Sequence, residues 1–574
     1  MSHVQMRSRG RSARRRALSA ALAASFLFAA CGSSTKSAGT TVASASPVAS
    51  GAAGTGATST ATTTGASTAS GSSTAASAAD SDKALVIARG MDVNSLDPSR
   101  AYCDTCQIFM TAVYETLIGL DASDNKTLVP RLATKWESNP AQTEFTFTLD
   151  PKAKFSDGSA VTSADVKFSW ERLKALKAAS SYLVSTISTI DTPDPETVKV
   201  TLSAPNSAFL AQVNASYLGI INSKVAQANG ATLDPTTDKA ETWFLSNSAG
   251  SGPFTLESYT SGSELRFKRN DNYWGTKAHF PEVIMKETPQ AVTQRQQLEQ
   301  GAVDIAMQIS SDVAKGMAGP DINVKQVKSF NYVYLALSQG AKGGQALTPD
   351  VRQAIRMALD YAGLVDVTVG GAGQPQPSPI PNGFLGTDGL AAPKQDVAGA
   401  KALLAKAGVT NLTLDATYPS LNVYGVDFST AMQKVQTDLK AVGINLTLNP
   451  VEISVWADKI GGDGIPVTML YFAPDHTDSS QYVQYFGLIK DSQWLTWTKG
   501  TDETAEDDLL AQAFAAQDTT ARGALYNKLA TMMINDQVII PVVNPDLFLA
   551  SRSDIKGMAY SACCNLVLAD LSRG

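Results

Sequence analysis

Histidine is nearly absent: three occur in 574 residues, and after His3 only His279 and His476 remain. Neither sits in a Gly-x-Ser-x-Gly, His-Glu-x-x-His or comparable setting, so common hydrolase signatures are missing. No Gly-Lys-Ser/Thr loop is present to cradle a phosphate, which excludes ATP hydrolysis by this chain. The glycine-rich stretch Gly370-Gly371-Ala372-Gly373 runs into Gln374-Pro375-Gln376-Pro377-Ser378-Pro379, which predicts a rigid surface loop rather than a nucleotide site. Beyond the N-terminus no run approaches the roughly 20 uncharged apolar residues needed to cross a bilayer. No internal repeat of fixed period is found. Binding rather than catalysis is expected, with no cofactor and no metal.

Charge of one sign is missing from the start of the chain. Residues 1–16 hold Arg7, Arg9, Arg11, Arg14, Arg15 and Arg16 and no acid. Without those six of its 47 basic residues the chain's net charge moves from −6 to about −12 against 53 acids. An acidic body repels phosphate backbones, so no nucleic acid partner is expected. A composition of 44% hydrophobic and 17% charged residues fits a globular body, and its length calls for two or three lobes.

The arginines lead into an apolar run, Ala17–Ala30, that is too short and alanine-rich to span a membrane; it predicts an export signal over residues 1–30. Leu27-Phe28-Ala29-Ala30-Cys31-Gly32 resembles the lipobox of bacterial lipoproteins, although Phe28 stands where leucine is usual. That resemblance implies lipidation of Cys31 and anchoring to the outer face of the cytoplasmic membrane. An ordinary signal peptide cut nearby is the competing reading. Residues 31–82 are almost wholly Ser, Thr, Ala and Gly, which predicts a flexible tether.

From Ala84 onward, strand and helix patterns alternate in a mixed α/β body. Phe145, Phe147 and Leu149 alternate with Thr146 and Thr148 as in a half-buried strand. Thr162 opens a helix with Asp165 at the capping-box position, and Val166, Ser169, Trp170 and Leu173 share one face. Thr348-Pro349 starts another with Val351, Ile355 and Leu359 inward. Asp396–Gly408 forms a third, closed by glycine, and Phe428, Met432, Val435, Leu439 and Val442 mark a fourth.

Several runs then occur in a telling order: Ser95-Leu96-Asp97-Pro98, Tyr114-Glu115-Thr116-Leu117 and Pro130-Arg131-Leu132-Ala133-Thr134-Lys135-Trp136. Lys154-Phe155-Ser156-Asp157-Gly158, Gly250-Ser251-Gly252-Pro253-Phe254, Arg269-Asn270 and Tyr273-Trp274-Gly275 follow. Gly301-Ala302-Val303-Asp304-Ile305, Val351-Arg352-Gln353-Ala354-Ile355 and Ala400-Lys401-Ala402-Leu403-Leu404 complete the series. Over residues 84–574 these resemble extracellular solute-binding protein family 5, the peptide- and nickel-type receptors of ABC importers. Most motif residues have a scaffold reading: Asp157-Gly158 as a tight turn, Gly250 and Gly252 as a bend, Tyr273-Trp274 as lobe packing.

The resemblance implies a type II periplasmic-binding-protein-like fold: two lobes, an extra subdomain and a hinge of crossing strands. Residues 83–122, 245–330 and 545–574 are expected in lobe I, 123–244 in the subdomain and 331–544 in lobe II. It also implies a monomeric receptor that closes on an oligopeptide or similar small solute and delivers it to permease subunits with their ATPases. The segment after Asp97-Pro98 reaches the cleft in peptide-binding relatives, which points to Tyr102, Asp104 and Thr105. The run Tyr471–Asp478 resembles the place where relatives set an acid against a ligand's amino group, making Asp475 the candidate. Trp456 is a candidate stacking surface; for it, Tyr418 and Tyr471 a core role competes. Nickel is disfavoured by the shortage of histidine.

Besides Cys31, the cysteines fall in two local pairs, Cys103/Cys106 and Cys563/Cys564. Export favours disulfides, with three connectivities open. A vicinal Cys563–Cys564 bond is strained, so links between the N-terminal and C-terminal pairs are expected. A four-thiolate zinc site is the rival. A solute sensor without transport and a chaperone for unfolded chains are the alternative functions.

Overall fold

The computed structural model describes residues 82–121, 123–317, 319–490, 492–498 and 504–574. The export segment, Cys31 and the tether up to residue 81 lie outside the described residues.

Two large sheets organise the body. A seven-stranded sheet runs Ile322–Val327, Leu547–Arg552, Ile305–Ala306, Leu85–Arg89, Glu282–Glu287, Glu264–Arg269, Phe254–Thr260. Within it Leu85–Arg89 is parallel to both neighbours, with Leu85 opposite Val283 and Ile87 opposite Ile305. A six-stranded sheet runs Gly373–Gln374, Ile539–Pro545, Tyr332–Leu337, Val467–Phe472, Leu412–Pro419, Ile444–Val451. A four-stranded antiparallel sheet, Ala133–Ser138, Glu144–Leu149, Thr197–Leu202 and Ile187–Asp194, is covered by helix Ser163–Leu176. This is a mixed α/β molecule of two lobes with an additional subdomain.

Local chemistry explains the elements. In Glu144–Leu149 the apolar residues are buried while both threonines are half-buried, the alternation a one-sided strand requires. Helix Ser163–Leu176 begins with Asp165 Oδ2 accepting the Thr162 amide at 2.9 Å and the Thr162 hydroxyl at 2.7 Å. Its stripe of Val166, Ser169, Trp170 and Leu173 is buried. Asp396 caps helix Val397–Lys406 through the Gly399 amide at 2.7 Å, and Gly408 takes φ +69 just beyond it. The proline-rich stretch departs from expectation: residues 376–380 are buried, not a surface loop. Neighbours satisfy its carbonyls, Tyr332 Oη donating to Pro379 O at 2.9 Å and Arg356 to Pro377 O at 3.1 Å.

The family-like motifs are fastenings. Arg172 forks onto Asp97 at 2.6 and 2.5 Å and onto Asp238 at 2.8 and 2.9 Å, all three side chains fully buried. Tyr273 Oη and Trp274 Nε1 each donate to Glu115 at 2.7 Å. A Cβ on Gly250 would lie 2.0 Å from the Val113 carbonyl oxygen, so close backbone approach rather than a bend demands glycine there.

Between described strands the chain passes twice from sheet to sheet. Lys328–Asn331 joins Ile322–Val327 to Tyr332–Leu337, and Asp546 alone joins Ile539–Pro545 to Leu547–Arg552. The crossings hold each other. Asp546 accepts Lys328 Nζ at 2.8 Å and Gln326 Nε2 at 2.6 Å, while Asn544 Nδ2 donates to Ser329 O at 3.1 Å and Asn331 O at 2.6 Å.

Candidate functional site

The seam between the two large sheets is where polar side chains from distant parts of the sequence meet. Strand Leu85–Arg89 leads into a segment that feeds helix Asp104–Val113. The helix needs acceptors for its first amides, and Asp92 supplies them: its carboxylate accepts the Asp104 and Thr105 amides, each at 2.8 Å, and the Thr105 hydroxyl at 2.6 Å. From the opposite lobe Tyr471 Oη also donates to Asp92. Next to it Arg89 donates to Asp104 at 2.7 Å in a fully buried ion pair. Asp104 further accepts Tyr424 Oη at 3.0 Å and the Asn565 amide. Burial pushes the Asp104 carboxyl up despite Arg89.

A second cluster surrounds Asp475. Strand Val467–Phe472 ends just before it, and helix Ser480–Phe486 begins just after. Gln481 curls the intervening loop, its Oε1 accepting the Asp475 amide at 2.7 Å and its Nε2 donating to Asp478 O at 3.1 Å. The Asp475 side chain thereby faces the other lobe. It accepts Tyr102 Oη at 2.8 Å, Tyr182 Oη at 2.5 Å and Gln107 Nε2 at 3.2 Å. Tyr102 lies 5.1 Å from the Tyr217 ring and 5.7 Å from Tyr485, so aromatic faces wall the carboxylate.

Asp475 is 2% exposed, and none of its described hydrogen-bond partners is a cation. Burial lifts its carboxyl to about 6, against the downward pull of Tyr182, Tyr102 and Gln107. Asp478, three residues on, differs: despite burial, Arg522 at 2.7 Å, with His476 and the Ser480 amide, holds it below the usual range, and Tyr526 Oη donates to it at 3.0 Å. His476 between them is buried and pushed down to about 4, chiefly by loss of solvent.

Tyr102, Asp104, Thr105 and Asp475 therefore lie along one seam. Trp456 does not join them: its indole nitrogen donates to Thr468 at 2.9 Å, and its ring lies 6.0 Å from Trp497 inside the six-stranded lobe. Tyr418 is core, whereas Tyr471 reaches the seam. Arg89, Asp92, Gln107, Tyr182, Tyr424 and Asn565 went unnoticed in the sequence. Asp92 and Gln107 flank the candidate segment closely, so spacing from Asp104 offered a signal for them; for Tyr182 and Tyr424 none existed.

The expected cross-linking of the two cysteine pairs is corrected. Cys103 bonds to Cys106, while Cys563 and Cys564 are free thiols. Cys103 is the N-cap of helix Asp104–Val113 and Cys106 lies in its first turn, which sets their Cα atoms 4.9 Å apart, within disulfide range. Among the described residues no group of three or more His, Cys, Asp or Glu is arranged to hold a metal ion. No described helix is long and apolar enough to cross a membrane.

The pattern described as "Bacterial extracellular solute-binding proteins, family 5 Middle" matches residues 127–493. The chain belongs to family 5 of the bacterial extracellular solute-binding proteins. It is 29% identical over 491 residues to the "Probable D,D-dipeptide-binding periplasmic protein DdpA" of Escherichia coli (strain K12), covering 84% of this chain and 93% of that one. Among solved structures it resembles the binding protein AgaA with agropinic acid from A. tumefaciens R10, with TM-score 0.75 and 25% identity over 86% of this chain and 99% of AgaA. The dipeptide-binding protein of Pseudoalteromonas sp. SM9913 with Met-Leu superposes with TM-score 0.77 at 20% identity, covering 86% of this chain and all of that one. These are type II binding proteins, the architecture of the two sheets and their crossings. As a family 5 member the chain is a solute-binding protein.

Proposed function

We propose that this chain is the receptor of an ABC importer that captures short peptides, or similar solutes bearing an ammonium group, between its lobes and hands them to a membrane permease. Asp475 carries this reading. A carboxylate this buried, with only neutral hydrogen-bond donors, gains most from an incoming cation, and a peptide α-ammonium supplies one with three donors. Tyr102, Tyr182 and Gln107 approach Asp475 from the other lobe, so a ligand bound there touches both jaws and favours closure. Asp104 and Thr105, tied to Arg89 and Asp92, lie along the same seam. The match to a relative named for D,D-dipeptides agrees with a peptide-like solute. Export, lipidation at Cys31 and attachment to the outer face of the cytoplasmic membrane complete the proposal; the protein works as a monomer with its permease and ATPases.

Mass spectrometry of material released from the purified protein identifies the solute. Calorimetric titration then compares a dipeptide with its N-acetylated form. The free amine binds many-fold tighter in the wild type, and Asp475→Ala removes that preference. Equal binding of the two forms by the wild type overturns the assignment of Asp475.

A further inference from the structure

The seven-stranded lobe carries a partly open cavity of about 440 Å³ bordered by helix Asp104–Val113, the hairpin Ile118–Leu120/Leu128–Pro130 and the C-terminal turn Ser561–Asn565. Thr111, Glu115, Arg131, Asn214, Ser216 and Cys563 are among its lining residues. Two of these have unmet polar groups. Asn214 is 4% exposed with neither amide atom hydrogen-bonded, and Ser216 is 2% exposed with no partner for its hydroxyl. Buried polar groups without partners are costly, so a wall that carries three such atoms is built for an occupant with donors and acceptors of its own.

Cys563 stands in that wall as a half-buried free thiol, its Sγ 3.2 Å from the Ser561 hydroxyl. Cys564, beside it in sequence, is a fully buried free thiol. The cavity is thus next to one reachable sulfur backed by a second that solvent cannot reach.

We propose that Cys563 is a modification site that captures a low-molecular-weight, carboxylate-bearing thiol as a mixed disulfide inside this cavity. The oxidant is the corresponding symmetrical disulfide, RSSR. Cys563 gives up its proton, its thiolate attacks one sulfur of RSSR, the Cys563–S–S–R bond forms, the old S–S bond breaks, and RS⁻ leaves and takes up the proton. The protein thiol is oxidised and one half of RSSR is reduced. The reactive member of the pair is Cys563, because a hydrogen bond with Cys564, aided by Ser561 and Arg131, favours its thiolate. Burial keeps the Cys564 thiol protonated.

Resolution of the adduct by Cys564 is disfavoured by chain geometry. Adjacent Cα atoms lie about 3.8 Å apart across a trans peptide, shorter than the roughly 4.4–6.8 Å that disulfides span. The mixed disulfide therefore persists. Arg131 and Lys277, which share the wall with Glu115 and Asp570, take the carboxylate, and Asn214 and Ser216 supply the remaining polar contacts.

Incubation of the full-length protein with dithiodipropionate or cystamine, read by intact and peptide mass spectrometry, tests this. The expected result is one adduct per chain on Cys563 with dithiodipropionate, formed several-fold faster than with cystamine, kept in Cys564→Ser and absent in Cys563→Ser. Melting curves of both variants verify folding, and trypsin mapping of the wild type reads the site independently should either variant fail to fold. No wild-type adduct, an adduct on another cysteine, or equal rates with the two disulfides overturns the proposal.

Discussion

The hydroxyl of Tyr102 donates to the carboxylate of Asp475 at 2.8 Å across the seam, although 373 positions separate them in sequence. Tyr182, from the segment leading into the subdomain's outer strand, donates to the same oxygen. One buried acid thus gathers donors from two separate regions of the opposite lobe, and its ionisation is tied to how the lobes meet.

Affinity for an ammonium-bearing solute is expected to fall with acidity. Asp475, with its carboxyl at about 6, must be ionised to pair with the cation. Titration calorimetry should therefore show strongest binding near pH 7, weakening by roughly tenfold per pH unit well below pH 6 and weakening again above about pH 8 as the solute's α-ammonium loses its proton. A profile flat down to pH 5 would count against the pairing.

Stability without solute should carry the same signature with a definite sign. Asp475 has a raised folded-state value, so its protonated form contributes stability that is fully present below about 3.8 and is lost as pH rises through about 6. Asp475→Asn abolishes this loss. The variant should exceed the wild type by up to about 3 kcal/mol above pH 7, and the difference should vanish near pH 4. Denaturant melts at several pH values measure it. His476 acts oppositely: its lowered value gives stability present above about 6.5 and lost as pH falls through about 4, in both proteins alike.

Arg172→Met removes the guanidinium forked onto Asp97 and Asp238 and leaves the two buried carboxylates to the partly exposed Arg100, 3.6 and 3.0 Å away. The expected cost is about 3–5 kcal/mol, and Asp97→Asn in the same chain should recover part of it. Chemical denaturation of the single and double variants provides the comparison.

Gly250→Ala sets a methyl against the Val113 carbonyl, 2.0 Å away in the present backbone. A loss of about 1–3 kcal/mol follows from overpacking, seen as a lowered melting temperature. The same change at Gly262, whose added Cβ meets nothing within 4 Å but whose φ is +69, should cost about 1 kcal/mol.

Much of the scaffold was legible in the residues because short-range rules decided it. The alternation in Glu144–Leu149, the Thr162/Asp165 cap and the stripe on helix Phe428–Ala441 depend on neighbours within a few positions. The seam was legible only in part. Asp475 stood out only through the resemblance of Tyr471–Asp478 to the family's acid-bearing segment, and Tyr182 and Tyr424 reach it or Asp104 through folding alone. For Trp456 the competing core role is the one the structure shows: aromatic character marks a residue as buried, not as facing the other lobe. The cysteine pairing turned on a helix start at Cys103, which placed its partner three residues away, nearer than any in the C-terminal turn. The prolines at 377 and 379 read as surface because no periodic signal foretold that Tyr332 and Arg356 would satisfy their carbonyls.

Asp546 is the sole residue between strands of the two large sheets, and the other passage is four residues long. Such short couplings work as a fulcrum. Small torsions at Asp546 translate into wide travel at the distal rims, so a stiffening substitution there alters capture while leaving every solute contact in place.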